Sequence, residues 1–273
     1  MTSVLPADLA AAVEGARARL GPFSRIEHVS EIDSTNDAAL ARAAAGAAHG
    51  SVVLAGTQRA GRGRLGRTWH SPPDAGIYMS AILRSESWAG TLSLTTLAAG
   101  VAVVRGLRAA TGLEAELKWP NDVVVGRPWR KLAGILSESA SASARVDALI
   151  VGIGINVRAA AFPVDLIDRV TAIEVELGRP VDRAACTVEV LAALAELTSR
   201  LLSGETSWVA TEWRRLGRAG LAGAPVRWHD GHKPRRGLAT DIDDSGALLI
   251  ETGGGGMERV ISGEVVWERL SRA

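Results

Sequence analysis

The sequence predicts an α+β protein in two parts, a larger unit built on a mixed or antiparallel sheet and a small C-terminal β-barrel. Two observations lead there. Over roughly the first 217 residues, short β-prone runs are interleaved with helical segments without strict alternation, which argues against a doubly wound parallel sheet. From residue 225 onward only short strands and turn residues follow, the pattern of a small barrel. The expected division is therefore 1–217 and 218–273, in a chain of 273 residues that can hold one large core and one small one.

Residues 6–20 have amphipathic helical spacing and stop at Gly21-Pro22. Residues 26–30 read as a brief strand. Asp33 or Ser34 can N-cap an alanine-rich helix that ends near Ala45, with Gly46 as its stop. Residues 51–55 are apolar and β-prone, and 76–83 (GIYMSAIL) reads as a central strand. Residues 92–110 read as a long buried helix, too rich in Ala, Thr and Gly to be a membrane span. The runs 113–119, 122–125, 131–138 and 146–157 are β-branched or apolar and punctuated by Gly or Pro, whereas 182–202 and 205–216 return to helical spacing. In the second part, strands are expected over 226–228, 237–242, 247–250, 257–261 and 265–267. Asp230-Gly231, Asp243-Asp244-Ser245-Gly246 and the glycines of 253–256 supply the turns. The glycine run is not a phosphate loop, because no helical pattern follows it.

Composition narrows the function. Lys+Arg at 31 nearly cancels Asp+Glu at 30, so the formal charge of +1 gives no general footprint for nucleic acid. Cys186 is the only cysteine, which excludes an internal disulfide and a cysteine metal cluster; it lies in a helical stretch where packing is the expected role. The N-terminus lacks the pattern of a secretory signal, and the expected location is the cytoplasm.

Five segments carry chemistry. In Gly61-Arg62-Gly63-Arg64-Leu65-Gly66-Arg67-Thr68-Trp69, bare backbone N–H groups alternate with guanidinium forks, so both can close on one anion. Asp33-Ser34-Thr35-Asn36 puts small donors and acceptors at a helix start, and alone it is an N-cap. Lys118-Trp119-Pro120-Asn121-Asp122 groups a cation, an indole, an amide and a carboxylate, and alone it is a strand end with a turn. Lys131-Leu132-Ala133-Gly134-Ile135-Leu136, with Glu138 beyond, heads an apolar strand with a lysine that either is solvated or points into a pocket. Val151-Gly152-Ile153-Gly154-Ile155-Asn156-Val157 lacks the third glycine and the helix of a dinucleotide site. It better suits a strand against which a ligand ring lies.

Taken in order (DSTN, Q-x-x-GRGRxGRxW, KWPND, KLAGIL, GIGINV), these segments resemble the catalytic core of biotin protein ligases over about residues 30–157, and the small β part continues the resemblance. The resemblance implies a catalytic fold related to class II aminoacyl-tRNA synthetases, an SH3-like C-terminal barrel and a two-step reaction. The biotin carboxylate attacks the α-phosphate of ATP, giving biotinoyl-5′-AMP and pyrophosphate; a lysine of a biotin carboxyl carrier domain of a biotin-dependent carboxylase then displaces AMP. ATP with Mg²⁺ and biotin are implied as substrates, with no permanently bound cofactor.

The resemblance also implies roles. Ser34, Thr35, Asn36 and Gln58 would bind biotin, with Arg62, Gly63 and Arg64 around its carboxylate and the phosphate. Gly134, Gly152 and Gly154 would leave room for the ligand. Arg67, Lys118, Asn121, Asp122 and Asn156 fall on the nucleotide side, with Trp69 beside the adenine and Asp122 near Mg²⁺. Lys131, at the junction of biotin and AMP, would be the essential lysine, with Arg62, Arg64 and Lys118 as further catalytic groups. A lipoate or octanoate ligase or transferase of the same fold stands as the alternative, because the acyl pocket is not legible in the motifs. A nucleic-acid-binding protein is a different class, which the balanced charge disfavours. Some members carry an N-terminal winged helix-turn-helix; here one short helix and one strand precede Ser34, so no DNA binding is expected. No membrane contact is expected, and a monomer and a weak homodimer both stay open.

Overall fold

The computed structural model describes residues 4–85, 92–140, 146–159, 162–230 and 233–268. It opens with two helices, α1 (Ala7–Gly15) and α2 (Arg17–Leu20), where the spacing predicts one. The chain leaves helical geometry at Ala16 (φ −105°, ψ 6°), directly after Gly15, a residue type that costs a helix interior about 1 kcal/mol relative to alanine. β1 (Ile26–Ile32), α3 (Thr35–Ala44), β2 (Val52–Gln58), β3 (Gly76–Leu83) and α4 (Leu92–Thr111) follow as expected. β4 (Glu116–Lys118) is shorter than the run 113–119. β5 (Asp122–Val125), β6 (Arg130–Ala140) and β7 (Ala148–Asn156) complete the sheet. A short α5 (Ile173–Leu177), missed by the sequence reading, precedes α6 (Arg183–Leu202), whose N-cap Asp182 accepts from Ala185 N–H at 3.0 Å. α7 (Ser207–Leu216) and α8 (Arg218–Leu221) lead into the second part.

The large sheet is mixed, with order β1-β2-β3-β7-β6-β5-β4; β1 and β2 are parallel and every other pair is antiparallel. Period-2 alternation sorts its two faces. Met79, Ala133, Ile135, Val151, Ile153 and Ile155 enter the main core with Leu97 and Val101 of α4. The opposite face of β3, β6 and β7 presents Ser80, Gly134, Leu136, Glu138, Gly152, Gly154 and Asn156, with Ser80 and Leu136 each opposite Gly152, and Gly134 opposite Gly154. The alanine-rich α3 covers only part of this face, sealing a small second core of Ala38, Ala39, Ala43, Val53, Ile82 and Ile150. The remaining part, floored by glycine and small polar side chains, forms the base of a cleft.

The second part is an antiparallel sheet of β8 (Ala224–Asp230), β9 (Lys233–Ile242), β10 (Leu248–Thr252), β11 (Met257–Val260) and β12 (Val265–Trp267), in order β11-β10-β9-β8-β12. The expected glycine turn closes on itself, with Thr252 N–H donating to Gly256 O and Gly255 N–H to Thr252 O, both at 2.9 Å. The expected Asp230-Gly231 turn runs into residues 231–232, outside the described residues. This sheet is docked on the larger part: Arg214 Nε donates to Asp241 Oδ1 at 2.7 Å, and buried Trp119 donates through Nε1 to Gly246 O at 3.0 Å. Val226, Trp228, Ile242 and Leu248 belong to the same apolar cluster as Leu94 and Leu97.

One turn of this sheet carries a pH dependence. Asp243 Oδ1 accepts from Ser245 Oγ (2.6 Å), Ser245 N–H (2.9 Å) and Ala247 N–H (3.0 Å), and Oδ2 accepts from Arg259 Nε (2.5 Å). Burial pushes the carboxyl up, but these bonds outweigh it and hold it at about 2, below the ordinary 3.8. A depressed carboxylate contributes stability that is complete above its unfolded value and is lost as pH falls through its folded one. Asp243→Asn should therefore cost about 1 kcal/mol in urea unfolding at pH 7, discounted for solvent screening. The gap from the parent should close between roughly pH 4 and pH 2.

Candidate active site

Every residue that the sequence singles out for the site lines one cleft of about 1290 Å³. Its two ends differ in chemistry.

At the α3 end the floor is a pinned polar network. Ser34 is the N-cap of α3, its Oγ accepting from Asp37 N–H at 3.3 Å. Thr35 and Asn36 are buried behind it. Gln58 Oε1 accepts from Thr35 N–H (2.8 Å) and Thr35 Oγ1 (3.1 Å), while Gln58 Nε2 donates to Ser71 Oγ (2.9 Å). Ser80 Oγ donates to Asn36 Oδ1 at 2.6 Å and lies 2.8 Å from Thr35 Oγ1. Asn36 Nδ2 donates to Glu138 Oε2 (2.6 Å) and Leu136 O (3.2 Å). With both ends of its amide engaged, Asn36 has one orientation available.

The three strand glycines line the cleft, and a side chain of the protein also lies close beside each of them. A Cβ on Gly152 would sit 2.8 Å from Asn36 Cγ, and one on Gly154 would sit 2.5 Å from Trp69 Nε1. One on Gly134 would come 3.0 Å from Trp69 Cζ3. The room beside these glycines therefore houses the chain's own Asn36 and Trp69, because α3 and the loop reach over the bare strands. Trp69 Nε1 is buried and has no hydrogen-bond partner among the described residues.

The loop 61–69 is a closed hairpin, with Trp69 N–H donating to Gly61 O (2.8 Å) and Gly63 N–H to Arg67 O (2.7 Å). Leu65 at its tip has left-handed backbone (φ 57°) and is 64% exposed. The arginines diverge. Arg62 Nη2 donates to Glu138 Oε2 and lies beside Asp37 Oδ1, both at 2.7 Å, so two carboxylates hold the group that the sequence assigns to an anion. Arg64 instead turns to Asn121 Oδ1 and to Gly263 O of the second part, each at 3.4 Å. Arg67 pairs with Glu264 of the second part.

The far end is cationic. Lys131 Nζ lies 2.6 Å from Asp122 Oδ1 and 5.3 Å from the centre of the Trp69 ring. Its backbone is fixed by Lys131 N–H to Arg169 O (2.7 Å) and Thr171 N–H to Lys131 O (2.9 Å). Asn121 Nδ2 donates to Ile135 O at 2.8 Å, which locks the 118–122 turn onto β6, and Asn156 Nδ2 ties β7 to Thr171 O at 2.9 Å. Among the described residues no carboxylate lies within ion-pair distance of Arg64 or Lys118. Burial pushes both groups down from their ordinary values, with Asp122 opposing it in each case. Half-buried cations with no directly paired carboxylate among the described residues create a demand for an anion. Also among the described residues, no group of three His, Cys, Asp or Glu side chains could hold a metal ion, and Asp122 already serves Lys131.

Some of the lining was not legible in the motifs. Ser80, buried beneath the floor where it bonds Thr35 and Asn36, had a signal as the one serine in the apolar run 76–83. His70, Trp129, Arg169, Gly263, Glu264 and Trp267 line the cleft, and nothing local in the sequence marks them.

Comparison with known proteins accounts for this geometry. The family model described as "Biotin/lipoate A/B protein ligase family" matches residues 29–156, and "Biotin protein ligase C terminal domain" matches residues 222–267. The biotin–[acetyl-CoA-carboxylase] ligase of Mycobacterium tuberculosis is 36% identical over 85% of this chain and 85% of its own. The bifunctional ligase/repressor BirA of Bacillus subtilis is 34% identical over 86% of this chain and 71% of its own. The solved biotin protein ligase from Aquifex aeolicus in complex with biotin and ATP superposes with a TM-score of 0.77 at 29% identity, covering 90% of this chain and 99% of that one. With both family models in place and the bacterial ligases matched along most of their length, the chain belongs to the biotin protein ligase family.

Proposed function

We propose that this cleft makes biotinoyl-5′-AMP from biotin and ATP, and that the enzyme passes the biotinoyl group to a lysine of a biotin carboxyl carrier domain of a carboxylase. One observation carries the reading. A single cleft runs from a neutralised polar floor at Thr35, Asn36 and Gln58 to a cationic end at Arg64, Lys118 and Lys131, as a ligand with a neutral acyl head and a charged phosphate tail requires. The naming of the Mycobacterium tuberculosis relative for biotin, and the biotin and ATP in the Aquifex aeolicus complex, support biotin over lipoate as the acid.

In this reading the carboxylate oxygen of biotin attacks the α-phosphorus, the bond to pyrophosphate breaks, and negative charge gathers beside Lys131, Arg64 and Lys118. Their fixed positions stabilise that charge without reorganisation during the step. Mg²⁺ enters with ATP as part of the substrate. In the second step a neutral carrier lysine attacks the acyl carbon, the bond to AMP oxygen breaks, and the amine proton leaves to solvent. No nucleophile of the enzyme is needed.

The division at 217/218 gives 1–217 the floor and Lys131, while 218–273 supplies Gly263, Glu264 and Trp267 to the phosphate end. The partner is a protein carrier rather than a nucleic acid, and the compartment is the cytoplasm, where ATP and the carboxylases meet. No helix of the described residues is long and apolar enough to cross a membrane.

The experiment is to incubate the enzyme with ATP, Mg²⁺, biotin and a purified carrier domain, and to measure the carrier's intact mass. One added biotinoyl group, absent without ATP or when the carrier lysine is changed to arginine, is expected. An unmodified carrier, with the adenylation step intact, would remove this acceptor class.

A further inference from the structure

We propose that Trp267 is a positioning residue for the adenylation step: its indole, delivered by the C-terminal sheet, aims the Lys118 ammonium at the nucleotide phosphates. The inference rests on the phosphate role proposed above for Lys118. Lys118 Nζ lies 5.3 Å from the centre of the Trp267 ring. Among the described residues it has no carboxylate within ion-pair distance, in contrast to Lys131, which is paired with Asp122. A carboxylate at this point would fix the lysine but cancel its charge and repel phosphate. The negative face of an indole fixes the ammonium and leaves the charge available.

The ring is itself held from several sides. Trp267 Nε1 donates to Gly220 O at 3.2 Å, and Trp267 stands edge-on to Trp129 with ring centres 6.5 Å apart. The Arg127 guanidinium lies 4.9 Å from the centre of the Trp129 ring. A Cβ on Gly220 would come 3.1 Å from Trp129 Cη2 and 3.4 Å from Trp267 Nε1, so α8 fits closely against both indoles. Trp267 opposes Val226 on β8, which ties the ring to the sheet. Trp129 precedes β6 and Lys131 by one and two residues, so the aromatic pair joins both phosphate-side lysines to the second part.

The test measures biotin-dependent ATP–pyrophosphate exchange and, separately, transfer from preformed biotinoyl-AMP to a carrier domain. Trp267→Met, which keeps bulk but loses the π face, should raise the KM for ATP about tenfold and leave the KM for biotin and the transfer step unchanged. Trp267→Phe should stay within about threefold of the parent. In a Lys118→Ala background, Trp267→Met should add nothing, because the ring acts through that lysine. Equal rises in both KM values, an equal loss in transfer, or full additivity with Lys118→Ala would overturn the proposal and leave Trp267 as interdomain packing. If Trp267→Met does not fold, a Trp267→Phe variant with an ATP KM no better than that of Trp267→Leu would overturn it as well. Lys118→Ala alone reports on the underlying reading: an unchanged KM for ATP would remove the phosphate role of Lys118, whatever the Trp267 variants do.

Discussion

Lys131→Ala should abolish biotin-dependent ATP–pyrophosphate exchange, with a loss of about a thousandfold or more, while the protein stays folded. A thousandfold corresponds to about 4 kcal/mol of transition-state stabilisation, the size expected when a fixed charge is removed from a partly dehydrated site. Lys131 stands where the two halves of the cleft meet, between the Trp69 ring over the glycine strands and Asp122 at the head of the cationic end. The backbone contacts at residue 131 run through main-chain atoms of Arg169 and Thr171 and survive the substitution. Asp122 loses its partner, yet it is 22% exposed and keeps the field of Lys118 nearby, so the thermal midpoint should move by only a few degrees. Substantial exchange in a folded Lys131→Ala protein would take this lysine out of the mechanism.

Gly152→Ala should be a severely damaging change for a single added methyl group. The added Cβ would lie 2.8 Å from Asn36 Cγ and closer still to its Oδ1, in a side chain that Ser80, Leu136 and Glu138 hold on separate sides. Neither the strand nor the amide can yield cheaply, and overpacking of this kind costs about 1–3 kcal/mol and sometimes more. Activity should fall with stability, because Asn36 links the floor to Glu138 and so to Arg62. Gly253→Ala, in a turn with nothing within 4 Å, should change neither. The double variant Asn36→Ala with Gly152→Ala should be more stable than the sum of the two single costs, since removing the amide removes the clash. Strict additivity of unfolding free energies would refute the close packing of this pair.

Much of the fold was written in local periodicity. The runs 76–83, 122–125 and 265–267 became strands with those bounds, because continuous apolar or β-branched stretches leave few alternatives. The helix over 6–20 broke where propensity is weakest, at Gly15, and α5 was too short to show a period. The site was legible as a set of positions, since the motifs sit on adjacent strands and their connections. Its wiring was not. Arg62 carries an anion-binding signature, yet Asp37 and Glu138 claim it, and Glu138 lies 76 residues further along the chain. Arg64 meets Gly263 across 199 residues, and Trp267 reaches Lys118 from the C-terminal sheet. Such pairings are set by how the two parts dock, which no local spacing encodes.

The central claim is that this cleft activates biotin with ATP, and biotin-dependent ATP–pyrophosphate exchange beside lipoate and octanoate controls tests it most directly. Exchange with biotin and with neither control is the expected result. Exchange with lipoate or octanoate but not with biotin, or with none of the three in a folded protein that binds ATP, would contradict it.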